Sequence, residues 1–159
     1  MTKRKPAADT PTKKKKPFGA KPPAHAVHAD PNAPASPEQV PLPAGVARKP
    51  YADKSPAQWA YERVILYIKN FEEQLDNQHE VAIGFTDGGS AGTLRIEGLG
   101  FFEPDIVTFY GTDQFGLRTQ LVQHVSQLSV MLRAMPKEAD SEDARRIGFR
   151  LVEDLESNE

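Results

Sequence analysis

The sequence predicts an α+β fold: one long N-terminal helix packed on an antiparallel meander sheet of five or six strands, preceded by a disordered tail. Three observations carry this. Proline is segregated, with 11 of the 14 prolines in the first 50 residues. A single long run of helical periodicity follows, from about Pro56 to about Gln78. Beyond it, short segments of period two alternate with Gly/Asp/Ser turns, the pattern of consecutive paired strands.

The 159 residues suggest one domain. Charge divides the chain more sharply than composition does. Residues 1–50 hold ten Lys or Arg against three acids, a net +7, and residues 51–159 hold ten against nineteen, a net −9. The first stretch is Lys/Pro/Ala-rich, with Phe18 its only aromatic residue. It offers too little apolar area to offset an ordering cost of about 1–2 kcal/mol per residue. Residues 1–50 are therefore expected to be a disordered basic tail, and 51–159 a single domain. No run of about 18 apolar residues is present and no apolar segment follows the basic start, so neither a membrane span nor a secretory leader is expected. A cytoplasmic location is the expectation. The absence of cysteine removes disulfides, thiol nucleophiles and Cys-ligated metal centres.

The helix is the clearest element. Ser55 suits an N-cap and Pro56 the first helical position. Ala60, Val64, Tyr67, Ile68, Phe71 and Leu75 make its apolar face. Val81, Ile83 and Phe85 then alternate as a strand, and Asp87-Gly88-Gly89-Ser90 reads as a turn. Thr93 to Glu97 alternates again, up to a break marked by Gly98, Gly100 and Pro104. Ile106 to Tyr110 and Leu117 to His124 flank a second turn. Leu128, Val130, Leu132 and Ala134 keep period two, although 120–134 has no breaker and a helix there stays open. Lys137 to Ala144 is an acidic loop. Arg146 to Leu151 reads as a last strand with Ile147, Phe149 and Leu151 inward, before a short helical end.

Four stretches, Ser55-Pro-Ala-Gln-Trp-Ala-Tyr-Glu-Arg, Arg95-Ile-Glu-Gly-Leu-Gly, Gln123-His-Val-Ser-Gln-Leu and Arg145-Arg-Ile-Gly-Phe-Arg-Leu, resemble a family of small bacterial proteins known only as a domain of unknown function. The resemblance spans about 50–155. It implies a bacterial, cytoplasmic protein and brings no activity, cofactor or catalytic residue with it.

Catalytic and metal chemistry find little support. His25 and His28 are spaced as HxxH but stand in the tail without further ligands, and His79 and His124 are isolated. The turn glycines lack the Lys-Ser/Thr of a phosphate loop. His124 with Ser126 would share a strand face as base and nucleophile, against the simpler view that they are polar residues at a strand end. Glu97, Glu103 and Asp105 offer acids near the Gly98–Pro104 bend, useful only if crowding shifts their pKa values. No cofactor is implied.

Binding features are more numerous. Lys3, Arg4, Lys5, Lys13, Lys14, Lys15, Lys16 and Lys21 form a polyanion tether that would attract nucleic acid or anionic lipid, serve as a spacer, or dock on the acidic domain. Trp59 and Leu66, seven residues apart and opposite the apolar face, are protein-contact candidates unless Tyr51 and the preceding chain cover them. Arg95, Arg133, Arg146 and Arg150 would form a cationic strip for an anion on the open sheet face, or a plain solvated face. The expectation is a non-enzymatic binding or adaptor domain with a protein partner or self-association. The alternatives are a nucleic-acid-associated protein acting through its tail, and a small enzyme using His124 or the Glu97–Asp105 acids.

Overall fold

The computed structural model describes residues 23–85 and 92–157. The elements are α1 (Ala44–Ala47), α2 (Pro56–Glu73), β1 (His79–Phe85), β2 (Thr93–Phe102), β3 (Ile106–Thr112), β4 (Arg118–His124), β5 (Val130–Pro136) and α3 (Ile147–Ser157), with short 3-10 turns at Pro37–Gln39, Tyr51–Asp53 and Val125–Gln127. The fold is α+β with a five-stranded antiparallel sheet. The long helix lies mid-chain rather than at the N-terminus, and α3 follows the sheet.

Helix α2 starts where expected. The Ser55 hydroxyl accepts the Gln58 N–H at 3.1 Å. It ends earlier than expected, with Gln74 as C-cap, because Asp76 draws the backbone into a turn by accepting the Gln78 N–H at 2.8 Å. Its buried stripe is Ala57, Ala60, Tyr61, Val64, Ile65 and Ile68, while Tyr67 lies on the rim.

The strand order is β4-β3-β2-β1-β5. Strands β1 to β4 form a meander, but β5 pairs with β1 on the far edge instead of continuing from β4. This has a consequence for shape. His124 ends β4 opposite Ile106, at the Phe102 end of the sheet, whereas Val130 opens β5 opposite Phe85, at the Thr93 end. In a flat sheet these points would be more than ~30 Å apart, yet the short link between them reaches ~20 Å at most. The sheet must curl until its edges approach, and α2 fills the concave side. Phe109, Ile65, Ile68, Ile83, Ile96, Val46 and Val107 form the fully buried centre. Each such side chain contributes roughly 1.5–3 kcal/mol.

A register shift between Ile96 and Gly98 lets β2 follow the curl. Leu94 and Ile96 point inward before it. After it Phe101 does, its ring 4.9 Å from that of Tyr61. The glycine-marked break expected at Gly98 is thus a bulge within one strand. Gly111 faces the bulge, where a Cβ would come within 2.1 Å of the Arg95 carbonyl oxygen.

The last strand expected over Arg146 to Leu151 is instead the start of α3, so the sheet has no sixth strand among the described residues. Gly148, Leu151, Val152 and Leu155 are its buried residues, at helical spacing, and Phe149 is 63% exposed. Before Pro50, Val46, 1% exposed, belongs to the core. Gly45 packs so closely on α3 that a Cβ would meet the Leu155 carbonyl oxygen at 2.1 Å.

Candidate functional site

The outer side of α2 carries the concave surface of the molecule. Residues 34–43 run beside it as a proline-rich wall, and α3 forms the opposite wall. Between them lies a cleft of about 820 Å³ lined by Pro37, Val40, Pro41, Leu66 and Val152, with Lys69 and Glu73 among its polar rim. A smaller cleft of about 280 Å³ adjoins it, lined by Pro23, Leu42, Tyr51, Trp59, Leu66 and Tyr67. Leu66 therefore lines both, and Trp59 lines the smaller one.

The wall is held by polar contacts along one rim of α2. Asn70 Nδ2 donates to the Ala35 carbonyl at 2.7 Å. The Tyr67 hydroxyl donates to Glu38 Oε1. Burial, reinforced by that carboxylate, pushes the Tyr67 hydroxyl up to about 12, and the same bond holds the Glu38 carboxyl below its ordinary value. Within the wall, Ser36 and Gln39 cap the 3-10 turn reciprocally.

Trp59 is half-buried rather than a bare anchor. Tyr51 stacks on it at 6.0 Å and 22°, Arg63 lies 4.2 Å over the ring and Lys54 5.2 Å. Burial lowers the Arg63 pKa, yet guanidinium remains a cation at any working pH. Sequence reasoning named Tyr51 as the cover, but not the two cations.

It also missed three buried carboxylates that root the flanking segments. Glu62 pairs with Lys54 at 2.6 Å, both side chains almost fully buried. Glu72 accepts the Ile147 and Gly148 N–H groups at 3.0 and 2.9 Å and so caps α3 from another helix. Burial raises its pKa against the pull of those two amides. Glu80 accepts the Arg145 N–H at 2.8 Å and the Arg95 guanidinium at 2.7 Å. The signal for Glu72 was its place on the apolar stripe, four residues after Ile68.

The arginines do not form one strip. Arg95 and Arg133 do share a row, since both pair with Ala82 from its two sides. Arg95 is committed to Glu80 and to the Pro136 carbonyl. Arg146 donates to the carbonyls of His79 and Asp76 at 2.6 and 2.7 Å, closing the turn after α2. Arg150 is exposed on α3. Lys3, Arg4, Lys5, Lys13, Lys14, Lys15, Lys16 and Lys21 lie outside the described residues.

His124, Ser126 and Asp105 come together. His124 Nδ1 is 2.7 Å from Ser126 Oγ, and its Nε2 is 3.1 Å from Asp105 Oδ2. The same Nδ1 accepts the Ser126 backbone N–H at 3.1 Å, so the imidazole is tied into the cap of the Val125–Gln127 turn. The imidazole and the Asp105 carboxylate are nearly half exposed, unlike a nucleophile at the floor of a water-excluding cleft. Glu97 sits at the bulge beside Arg145, away from Glu103 and Asp105 at the far end of the β2–β3 hairpin. The three acids do not converge.

No helix among the described residues is long and apolar enough to cross a membrane. Neither a curated protein nor a solved structure matches the chain. A family model described as a family of unknown function (DUF6173) matches residues 53–150, and the chain belongs to that family.

Proposed function

We propose that this member of the DUF6173 family is a non-enzymatic protein-binding module, which takes a short apolar segment of a partner protein into the cleft between residues 34–43, α2 and α3. The supporting observation is the cleft itself: an apolar lining of Leu66, Val40 and Val152 inside a rim carrying both Lys69 and Glu73. An apolar lining with a mixed-charge rim suits a peptide anchor rather than a polyanion. Trp59 and Leu66 contribute from the adjoining cleft, Trp59 as a rigid wall held by Tyr51 and Arg63.

The test is selection of displayed random peptides on the full chain, followed by Val40→Asp. Val40 is 39% exposed, so the substitution charges the cleft wall without opening the core. Selected peptides should lose about tenfold or more in affinity at unchanged thermal stability, the scale of one lost apolar anchor. Peptides that bind Val40→Asp and the native chain equally would sink the proposal.

The charge segregation favours a second reading, binding of nucleic acid by the basic N-terminal stretch. Residues 1–22 hold eight Lys or Arg against one acid. Single-stranded DNA bound by this stretch should weaken about a thousandfold between 50 and 200 mM salt if most of these cations engage phosphates. Salt-indifferent binding would rule it out.

A further inference from the structure

We propose that two copies of this chain pair antiparallel through the outer edge of β4, extending the sheet across a two-fold axis near Leu121. This surface is distinct from the α2 cleft.

Strand β4 is an edge strand, paired only with β3 among the described residues. Its free edge can be assigned atom by atom. The Asp113 N–H donates to the Leu117 carbonyl at 2.9 Å, and the Val125 N–H donates to the Asp105 carbonyl at 2.7 Å. Both bonds lie in the register of Thr112↔Arg118 and Ile106↔His124 and bracket the ladder. Antiparallel alternation then turns the amides and carbonyls of Thr119, Leu121 and Gln123 toward β3. Those of Arg118, Gln120, Val122 and His124 point away from it. The His124 N–H is taken by Gln127 Oε1 at 2.9 Å. Arg118, Gln120 and Val122 are left presenting donors and acceptors to the open side.

The guards of β4 are few, its one lasting charge being Arg118 at the start of the strand. Its sequence Arg-Thr-Gln-Leu-Val-Gln-His has no proline or lysine, and its register with β3 runs unbroken for the whole strand. Natural edges ordinarily carry such guards. The opposite edge does: β5 ends in Pro136, followed by Lys137. Apolar surface adjoins the β4 edge on the outer sheet face, where Val122 is 58% exposed and Phe102, two strands away, is 76% exposed.

The strand is complementary to itself. Paired antiparallel about Leu121, Gln120 meets Val122 of the second copy, and the two exchange the backbone bonds that each now presents. Arg118 meets His124 of the second copy, whose Nε2 holds the Asp105 carboxylate. Arg118 has no ion-pair partner among the described residues, so the pairing brings a cation to each exposed Asp105. On the inner face Thr119, whose hydroxyl donates to the Leu117 carbonyl at 3.0 Å, meets Gln123 of the second copy. Leu121, half-buried against the core, would be covered by its own counterpart.

The test is sedimentation equilibrium of the full chain over a concentration series, with Val122→Pro beside it. The native chain should shift from 17.6 kDa toward twice that mass as concentration rises. Because the Val122 N–H faces the open edge, proline there leaves the β3 ladder intact, while it removes an intermolecular donor and blocks approach. The dimer dissociation constant should rise about tenfold or more with the melting temperature retained. Arg118→Glu should weaken pairing as well, and Arg118→Glu with Asp105→Arg should restore part of it. A chain that stays at 17.6 kDa at every concentration overturns the proposal and leaves the edge to a strand from another protein. A dimer indifferent to both Val122→Pro and Arg118→Glu overturns it too.

Discussion

The two segments that flank the long helix α2 are attached to it in opposite ways. On one side, α3 lays Leu151, Val152 and Leu155 into the core and is capped by the buried Glu72. On the other, residues 23–54 contribute Val46 and Leu42 to the core, rest Gly45 on α3 and Tyr51 on Trp59, and are further held by rim hydrogen bonds and one buried ion pair at their root. The carboxylates report the contrast. Glu72 is raised by burial, while Glu38 is lowered by the Tyr67 hydroxyl. One flank is an apolar dock with a costly buried acid, and the other a polar strap. The cleft proposed for a partner lies between them, so movement of residues 34–41 alone would widen it while Val46 stays in the core.

The ion pair at the root of the strap gives the largest expected effect. Lys54→Met leaves Glu62 as a buried carboxylate without its cation, and Val46 loses the donor on its carbonyl. Chemical denaturation should show a loss of about 3–5 kcal/mol, the usual cost of removing one partner of a buried pair. Lys54→Met with Glu62→Leu should recover most of it, because the desolvated charge is then gone. A single variant as stable as the native chain would mean that water reaches Glu62 and that the root is not sealed.

The α3 dock should yield less readily to its own carboxylate. Glu72→Ala strands the Ile147 and Gly148 amides but also removes an acid that burial already disfavours, so about 2 kcal/mol is expected. Amide exchange should quicken first in α3, and the sheet should stay protected. If exchange in α3 is unchanged, the cap carries little and the apolar face alone holds the helix. The pH dependence separates the flanks further. A raised folded pKa stabilises the protonated form, so the Glu72 contribution is full below its ordinary value of 4.5 and is lost as pH rises through the folded value. For Glu38 the sign reverses: its contribution is present above 4.5 and is lost as pH falls through its lowered value. Acidification should therefore loosen the strap while the α3 dock holds.

How much of this was legible in the sequence follows from the range of each interaction. Ser55, Pro56 and the apolar spacing of α2 act within a few residues, and the helix begins where they place it. The strands β1, β3 and β4 alternate on their own and were readable. Helix α3 was not, because Ile147, Phe149 and Leu151 fit period two, while its cap comes from Glu72, some 75 residues away. The run Gly148, Leu151, Val152, Leu155 was the available signal. The β2 bulge hid in the same way, since a parity change after Ile96 looks like a strand end until β3 supplies the pairing. At the candidate site, Trp59 and Leu66 were read as opposite the apolar stripe, and the proline-rich residues that line the clefts beside them were read as tail. Their hold depends on single long-range contacts such as Asn70 to Ala35, which composition does not reveal.

Tyr67→Phe should have the smallest effect and is the sharpest probe of the strap. It removes only the hydroxyl that Glu38 accepts, at an exposed rim, and should cost about 0.5–1 kcal/mol. Trp59 is the single tryptophan and, although it sits on α2, it stacks on Tyr51 in the strap, so its emission responds to release of the strap even while α2 stays folded, whereas far-UV circular dichroism follows α2 and α3. In the native chain Trp59 emission should shift on acidification before the dichroism does. In Tyr67→Phe the Glu38 carboxyl loses the main cause of its lowered pKa and with it most of the contribution that acid removes, so the emission change on acidification should shrink while the dichroism transition stays in place. Coincident transitions in both proteins would mean that strap and dock unfold as one unit, and that the partner cleft is a fixed feature rather than an adjustable one.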